Sequence, residues 1–460
     1  MYKRFALVLI LVFLTASCII MAKPVSGDST VVDNSWVKKA PMHVARSDLG
    51  VAVVNGKIYA IGGISENGEV VTNEKYDPAT NTWVLNTPMP TPRMDFAIAV
   101  YQNKIYCIGG SIGDSTDPWD EVLTGVNEVY DLATGIWETK AAMPTALGSP
   151  QANVVNGKIY VMGGLPNTGT NNGTLNEVYD PSTNTWSLMS PMPQWEDGCS
   201  AVFNNKIYFL GGYFNHDLEN PEVPITQIYD PDKNTWSLGT PPPTFFAEGS
   251  AAVTSGILAP KRIYAFCPYA NQVYDPETDS WASGAAIPTQ RAGFAVAVVD
   301  DLIYVIGGES TTFPTTLSYT QPFGSNGVTT YYATVEQYTP FGYGTVPPVI
   351  SVASPENSNY SSSEVSLNFT VNKPANWTSY SLDGKQNVTI TVNTTITGLS
   401  SGLHNITVYA NDTFGNIGAS QTVTFTIAEP FPTATVAAVS GALAVVVVVG
   451  LFVYFKKRKH

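Results

Sequence analysis

An all-β chain ending in a single helix is what the sequence predicts, and three observations predict it. First, short apolar runs closing on Gly-Gly recur: KIYAIGG at 57–63, KIYCIGG at 104–110, KIYVMGG at 158–164, KIYFLGG at 206–212 and LIYVIGG at 302–308. All but the last lead through a Tyr-Asp turn to a Trp, as in KYDPATNTW at 75–83. Second, residues 344–428 are rich in Ser, Thr, Asn and Val and alternate apolar with polar residues, as in VSLNFTVN at 365–372. Third, Thr433 to Phe455 is 23 residues without a charge. A four-strand repeat of 45–55 residues predicts a β-propeller. The alternating stretch predicts a second all-β domain, and the charge-free stretch a membrane-spanning helix.

Six blades are expected over 31–343. Trp36, Trp83, Trp137, Trp186, Trp236 and Trp281 recur at intervals of 47, 54, 49, 50 and 45. Six Ile-Tyr strands accompany them, with the fifth repeat degenerate: Cys267-Pro268 stands where others have Gly-Gly. Trp36 precedes the first Gly-Gly strand and none follows the last within 31–343, so the N-terminal strand should complete the last blade and remove a free sheet edge. The repeated residues have structural reasons. Gly-Gly permits close backbone approach, Asp-Pro opens a tight turn, and Trp is expected as a buried plug between blades.

This pattern resembles the kelch-repeat family: a Gly-Gly after an apolar strand, a Tyr, a Trp about a dozen residues on, and often an Arg opening the repeat. The resemblance implies a kelch propeller over two thirds of the chain. Its members include protein-binding modules, glycan-related enzymes and oxidases, so it implies no single function. The copper site of the kelch oxidases has no counterpart here.

Residues 344–428 predict a small β-sandwich of the immunoglobulin-like class without a disulfide. SLDGKQNVTI and the run TTITGLSSGLHNITVYANDTFGN resemble the Ig-like modules of archaeal cell-surface proteins. Asn359, Asn368, Asn376, Asn387, Asn393, Asn405 and Asn411 each begin Asn-x-Ser/Thr, which suggests a glycan-coated stalk. At the N-terminus, Lys3 and Arg4 precede an apolar run from Phe5 to Phe13 and small residues near Ala22, the pattern of a signal peptide over 1–22. Lys456 to Lys459 follow the span at 433–455, which puts the tail 456–460 in the cytoplasm and the rest outside a plasma membrane.

Charge excludes one class of partner. The chain has 23 basic and 37 acidic residues; without signal and tail, 17 basic face 37 acidic, or −20. Nucleic acid and anionic lipid surfaces are not expected partners. Cys107, Cys199 and Cys267 lie on different repeats and read as buried apolar residues. Only four His occur, and no spacing suits a metal or a catalytic set, so no cofactor, metal or catalytic residue is assigned.

Binding residues are sought where repeats depart from one another. Long loops at 111–126, 213–224 and 309–332 and the inter-blade links carry Trp119, Trp195 and Phe246 beside many carboxylates. Twelve residues before the Ile of each Ile-Tyr stand Arg46, Arg93, Leu147, Trp195 and Arg291. The kelch resemblance puts this position near the mouth of the central channel. It suggests an arc of Arg46, Arg93 and Arg291 able to clamp a carboxylate, opposite an apolar arc. The expected role is a surface binding or adhesion protein whose loop face takes a glycan or protein. The alternatives are a surface carbohydrate-active enzyme and a structural envelope component.

Overall fold

A computed structural model describes residues 32–113, 122–166, 173–194, 198–211, 224–244, 249–312, 327–429 and 433–458. Six antiparallel four-stranded sheets form the ring. Their inner strands are Gly50–Val54, Ala97–Tyr101, Gln151–Val155, Cys199–Phe203, Ser250–Val253 and Ala295–Val299. Each touches the next, and the last touches the first. The blades are numbered 1 to 6 in that order.

Closure is as the Trp count predicts. Ser35–Lys39 is the outer strand of blade 6, pairing with Val335–Thr339 so that Trp36 lies opposite Tyr338. The ring has no single centre of packing. Six apolar clusters each fill one blade-to-blade interface, such as Ile61, Phe96, Ile105 and Cys107 between blades 1 and 2. Alternating side chains make this possible: both faces of a blade are apolar, and each meets a neighbour. Cys107, Cys199 and Cys267 are buried free thiols, and burial pushes Cys107 up to about 12.

The Trp differs from the expected plug. Only Trp83 is fully buried; the others are half-exposed on the outer strands. In every blade the ring lies 4.8–5.1 Å from the Tyr of its own sheet. Its Nε1 donates to a carbonyl of the preceding blade, as Trp83 does to Ala40 and Trp36 to Ala285. It is a stitch between blades, because an indole pairs an apolar body with one donor. The Gly-Gly pair has the expected backbone role. Gly63 has φ +94°, and a Cβ there would lie 2.3 Å from the Ser47 carbonyl of the same blade. Its N–H donates to the Arg93 carbonyl of the next blade.

After the ring, two sheets enclose a separate core of Val365, Leu367, Ile406, Val408, Phe425 and their neighbours. Gly344 joins the two parts, donating to Leu258 of the ring and accepting from Asn416. The chain then ends in the helix Thr433–Lys457. Its described side chains begin at Leu443, and among the described residues no helix is long and apolar enough to cross a membrane.

Candidate functional site

At one end of the central channel the inner strands open into a funnel of about 470 Å³, to which all six blades contribute. Its wide end is a ring of backbone. Asp48 N–H donates to Gly293, Asp95 N–H to Asp48 and Ser149 N–H to Asp95, at 2.7–3.0 Å. Asp48, Asp95 and Ser149 take left-handed φ of 51–53°, which Asp tolerates better than most residues. Asp48, Asp95 and Glu309 border this end on blades 1, 2 and 6. Ser149, Gln151, Ser200 and Ser250 line the other arc. Deeper, Val51, Ile98, Ala251 and Val296 continue into an apolar section of about 290 Å³. Val53, Val100, Val154, Val202, Val253 and Val298 share one rung there, each paired with the Ile of its Ile-Tyr.

The arginines expected to face this funnel do not, and the carboxylate clamp is corrected. Arg46 and Arg93 are 0% exposed and Arg291 1%. Each turns into its own blade. Arg46 binds Glu74 at 2.6 Å and the Ala60 carbonyl at 3.0 Å. Arg93 binds Glu128 at 2.9 Å and the Cys107, Val126 and Gly109 carbonyls. Arg291 binds Glu336 at 2.6 Å and the Gly307, Thr289 and Val305 carbonyls. Burial pulls each guanidinium below its ordinary value, with a carboxylate opposing it. Burial also acts to raise Glu74, but Arg46 and His43 hold it below the usual range. Buried forks held by an ion partner and carbonyls are closed to a ligand, although the Nε of Arg46 and of Arg93 has no partner.

Their Glu partners escaped the sequence reading, although a signal was present. The residue two before the blade Tyr is Glu74, Glu128, Glu177, Gln227, Gln272 and Glu336 in turn. Blades with Arg have Glu. Blades 4 and 5, with aromatic or small residues at the Arg place, have Gln, and Gln227 is satisfied by the Gln194 backbone. Blade 3 breaks the rule. Leu147 stands in the Arg place, 0% exposed, yet Glu177 remains, 1% exposed. Its Oε1 accepts from Thr145 at 2.7 Å and its Oε2 has no partner. Burial raises this carboxyl, with Thr145 opposing.

Trp119, Trp195 and Phe246 lie outside the described residues. Among the described residues no three His, Cys, Asp or Glu converge as metal ligands would. Of the sequon residues, Asn359, Asn368, Asn376, Asn387, Asn393 and Asn405 are exposed and Asn411 is half-buried. The Nδ2 groups of Asn376, Asn387 and Asn411 already donate to Asp412, Ser379 and Gly415.

Comparison with known proteins places this ring. The kelch motif matches residues 45–90, 92–144, 149–193 and 197–243, which are the first four blades, with Arg46 and Arg93 inside the first two matches. The ring is a kelch propeller. The two unmatched blades are those whose sequences depart most from the repeat: blade 5 lacks Gly-Gly, and blade 6 takes its outer strand from the far end of the chain. Halomucin of Haloquadratum walsbyi is 42% identical over 99 residues, 20% of this chain and 1% of halomucin. The Kelch-like protein terF of Aspergillus terreus is 43% identical over 51 residues, 10% of this chain and 11% of that protein. The chain thus spans a small part of either relative. A solved structure of YjhT is 16% identical, with a TM-score of 0.47, and covers 59% of this chain and 93% of its own.

Proposed function

We propose that the chain is a single-pass cell-surface binding protein that presents its kelch propeller outward and takes a partner protein at the funnel. The observation that carries this is the funnel itself. A concavity of about 470 Å³, built by all six blades, is of the size that holds a ligand. Its lining of carboxylates, hydroxyls and apolar side chains suits an exposed part of another protein. The immunoglobulin-like domain with its seven sequons serves as a glycosylated spacer. The 23 uncharged residues from Thr433, followed by Lys456 to Lys459, support an anchor with its tail inside.

Two measurements test this. Membranes from expressing cells are extracted at alkaline pH, and the intact cells are treated with protease. The reading expects the chain to stay with the membrane and the propeller to be shaved. Labelled full chain is then applied to target cells and to a glycan array. Loss of cell binding after protease treatment of the targets supports a protein partner. Unchanged binding with array hits makes the ligand a carbohydrate.

A further inference from the structure

The funnel has a polarity that narrows its ligand further, on the reading that it is the binding face. Its wide end is acidic on one arc, its other arc carries hydroxyls and an amide, and its narrow end is apolar. None of the described residues lining it is a Lys, Arg or His. Asp48 Oδ2 and Glu309 Oε2 both approach the Ser47 hydroxyl, at 2.7 and 3.0 Å, so two carboxylates converge on one proton. On the other arc Ser200 Oγ accepts from Asn153 Nδ2 at 2.8 Å, which directs its own O–H to another acceptor. From Asp48 to the Val53 rung is five residues, or about 16 Å along an extended strand.

We propose that the funnel takes the free N-terminus of a partner protein whose first residue is apolar. The ammonium group sits by the arc of Asp48, Asp95 and Glu309. The first peptide groups meet Ser149, Ser200 and Ser250, and the first side chain turns toward the apolar lining that begins at Val51, Ile98 and Val296. A first residue with a charged side chain fits less well, because that charge would be turned toward the apolar lining. An anionic group is repelled at the entrance, and the −20 balance of the exterior steers cations toward the chain.

Titration calorimetry of the full chain in nanodiscs with eight-residue peptides tests this. A peptide beginning with Val and a free amine should bind, and its N-acetylated form at least ~10-fold more weakly, which is the loss of one charge-assisted contact. Affinity should fall as pH rises through about 8, where an α-amine loses its proton. The double variant Asp48→Asn, Asp95→Asn should lose a similar factor while its circular dichroism stays unchanged, since Asn tolerates the left-handed φ at both positions. Ala251→Leu, which fills the narrow end, should weaken Val-first peptides more than Gly-first ones. Equal binding of acetylated peptide overturns the amine assignment and leaves the funnel as the binding face. So does an oligosaccharide that binds, is blocked by Ala251→Leu and competes with no peptide. If no peptide binds and none of the variants alters attachment to target cells, both readings fall.

Discussion

Replacing Arg93 with leucine would give blade 2 the pair that blade 3 already has, an apolar residue facing a buried Glu. The cost can be worked from the contacts. Glu128 has a side chain 4% exposed and would keep only its bond from Thr91 at 2.7 Å. The carbonyls of Gly109, Val126 and Cys107 would lose a donor as well. Removing one partner of a buried ion pair costs about 3–5 kcal/mol, because the remaining charge is desolvated without compensation. Arg93→Leu should therefore lower the unfolding free energy by about that amount in urea titrations of the full chain, followed by near-ultraviolet circular dichroism. Adding Glu128→Gln removes the stranded charge and gives blade 2 the neutral residue found in blades 4 and 5. The double variant should then recover at least about 1.5 kcal/mol, a coupling of the size expected between residues in contact. If Arg93→Leu costs under about 1 kcal/mol, or if the two losses simply add, the pair is not the lock described here.

Glu177 should make the ring acid-tolerant and base-sensitive. Its folded pKa is raised above the ordinary 4.5, so the folded chain holds the extra proton and stability falls as pH rises from about 4.5 through the folded value. Glu177→Gln or Leu147→Arg should flatten that decline in pH-dependent urea titrations; an unchanged slope in both would assign it elsewhere. His404 is 5% exposed, with Nδ1 2.9 Å from Asp383 and Nε2 2.8 Å from the Ser400 carbonyl. Two acceptors require both nitrogens protonated, and the Ser400 carbonyl and then Asp383 raise its pKa. Its contribution is complete below about 6.5 and lost as pH rises through the folded value. His404→Gln should remove this pH dependence from amide exchange of Gly402–Asp412 and leave the ring unaffected. Gly63 and Gly68 share a φ of +94°, where alanine is strained by about 1 kcal/mol; only at Gly63 would a Cβ also lie 2.3 Å from a carbonyl, so Gly63→Ala should cost more than about 2 kcal/mol and more than Gly68→Ala, where a Cβ meets nothing within 4 Å.

The ring was legible in the sequence because a propeller repeats one solution six times. Ile-Tyr, Gly-Gly, the Tyr-Asp turn and Trp mark the same places in successive sheets, and the displaced Trp36 revealed how the ring closes. Single residues were read less well where their role depends on what lies opposite. Trp seemed a plug because it is large, but its place on the outer strand and its indole N–H make it a stitch. Arg46, Arg93 and Arg291 seemed to face a ligand because the repeat puts them near the channel. Which way a long side chain turns depends on a partner some 28–45 residues away, in a strand that sequence spacing does not bring near. The funnel was illegible for another reason: it is lined by residues from seven separate segments of six blades, most of them Gly, Ala, Val and Ser, which carry no chemical signature alone.

Blade 3 shows how the structural and functional layers of such a ring separate. In blades 1, 2 and 6 an Arg–Glu pair binds the inter-blade link to its own sheet, and the Arg46 and Arg93 carbonyls receive the N–H of the preceding Gly-Gly strand. Blades 4 and 5 manage with neutral amides, so the ion pair is not required for a blade to form. The backbone contact persists where the Arg is replaced, since Gly110 N–H donates to the Leu147 carbonyl of blade 3, and this leaves the link's side chains free to vary. The same links begin the inner strands and place Asp48, Asp95, Ser149 and Gly293 around the funnel mouth. A backbone ring fixed by N–H to carbonyl bonds can therefore carry a different side chain in each blade without a change of fold. That freedom is why the lopsidedness of this propeller, acidic over blades 6, 1 and 2 and hydroxyl-rich over blades 3 to 5, points to its ligand rather than to its stability.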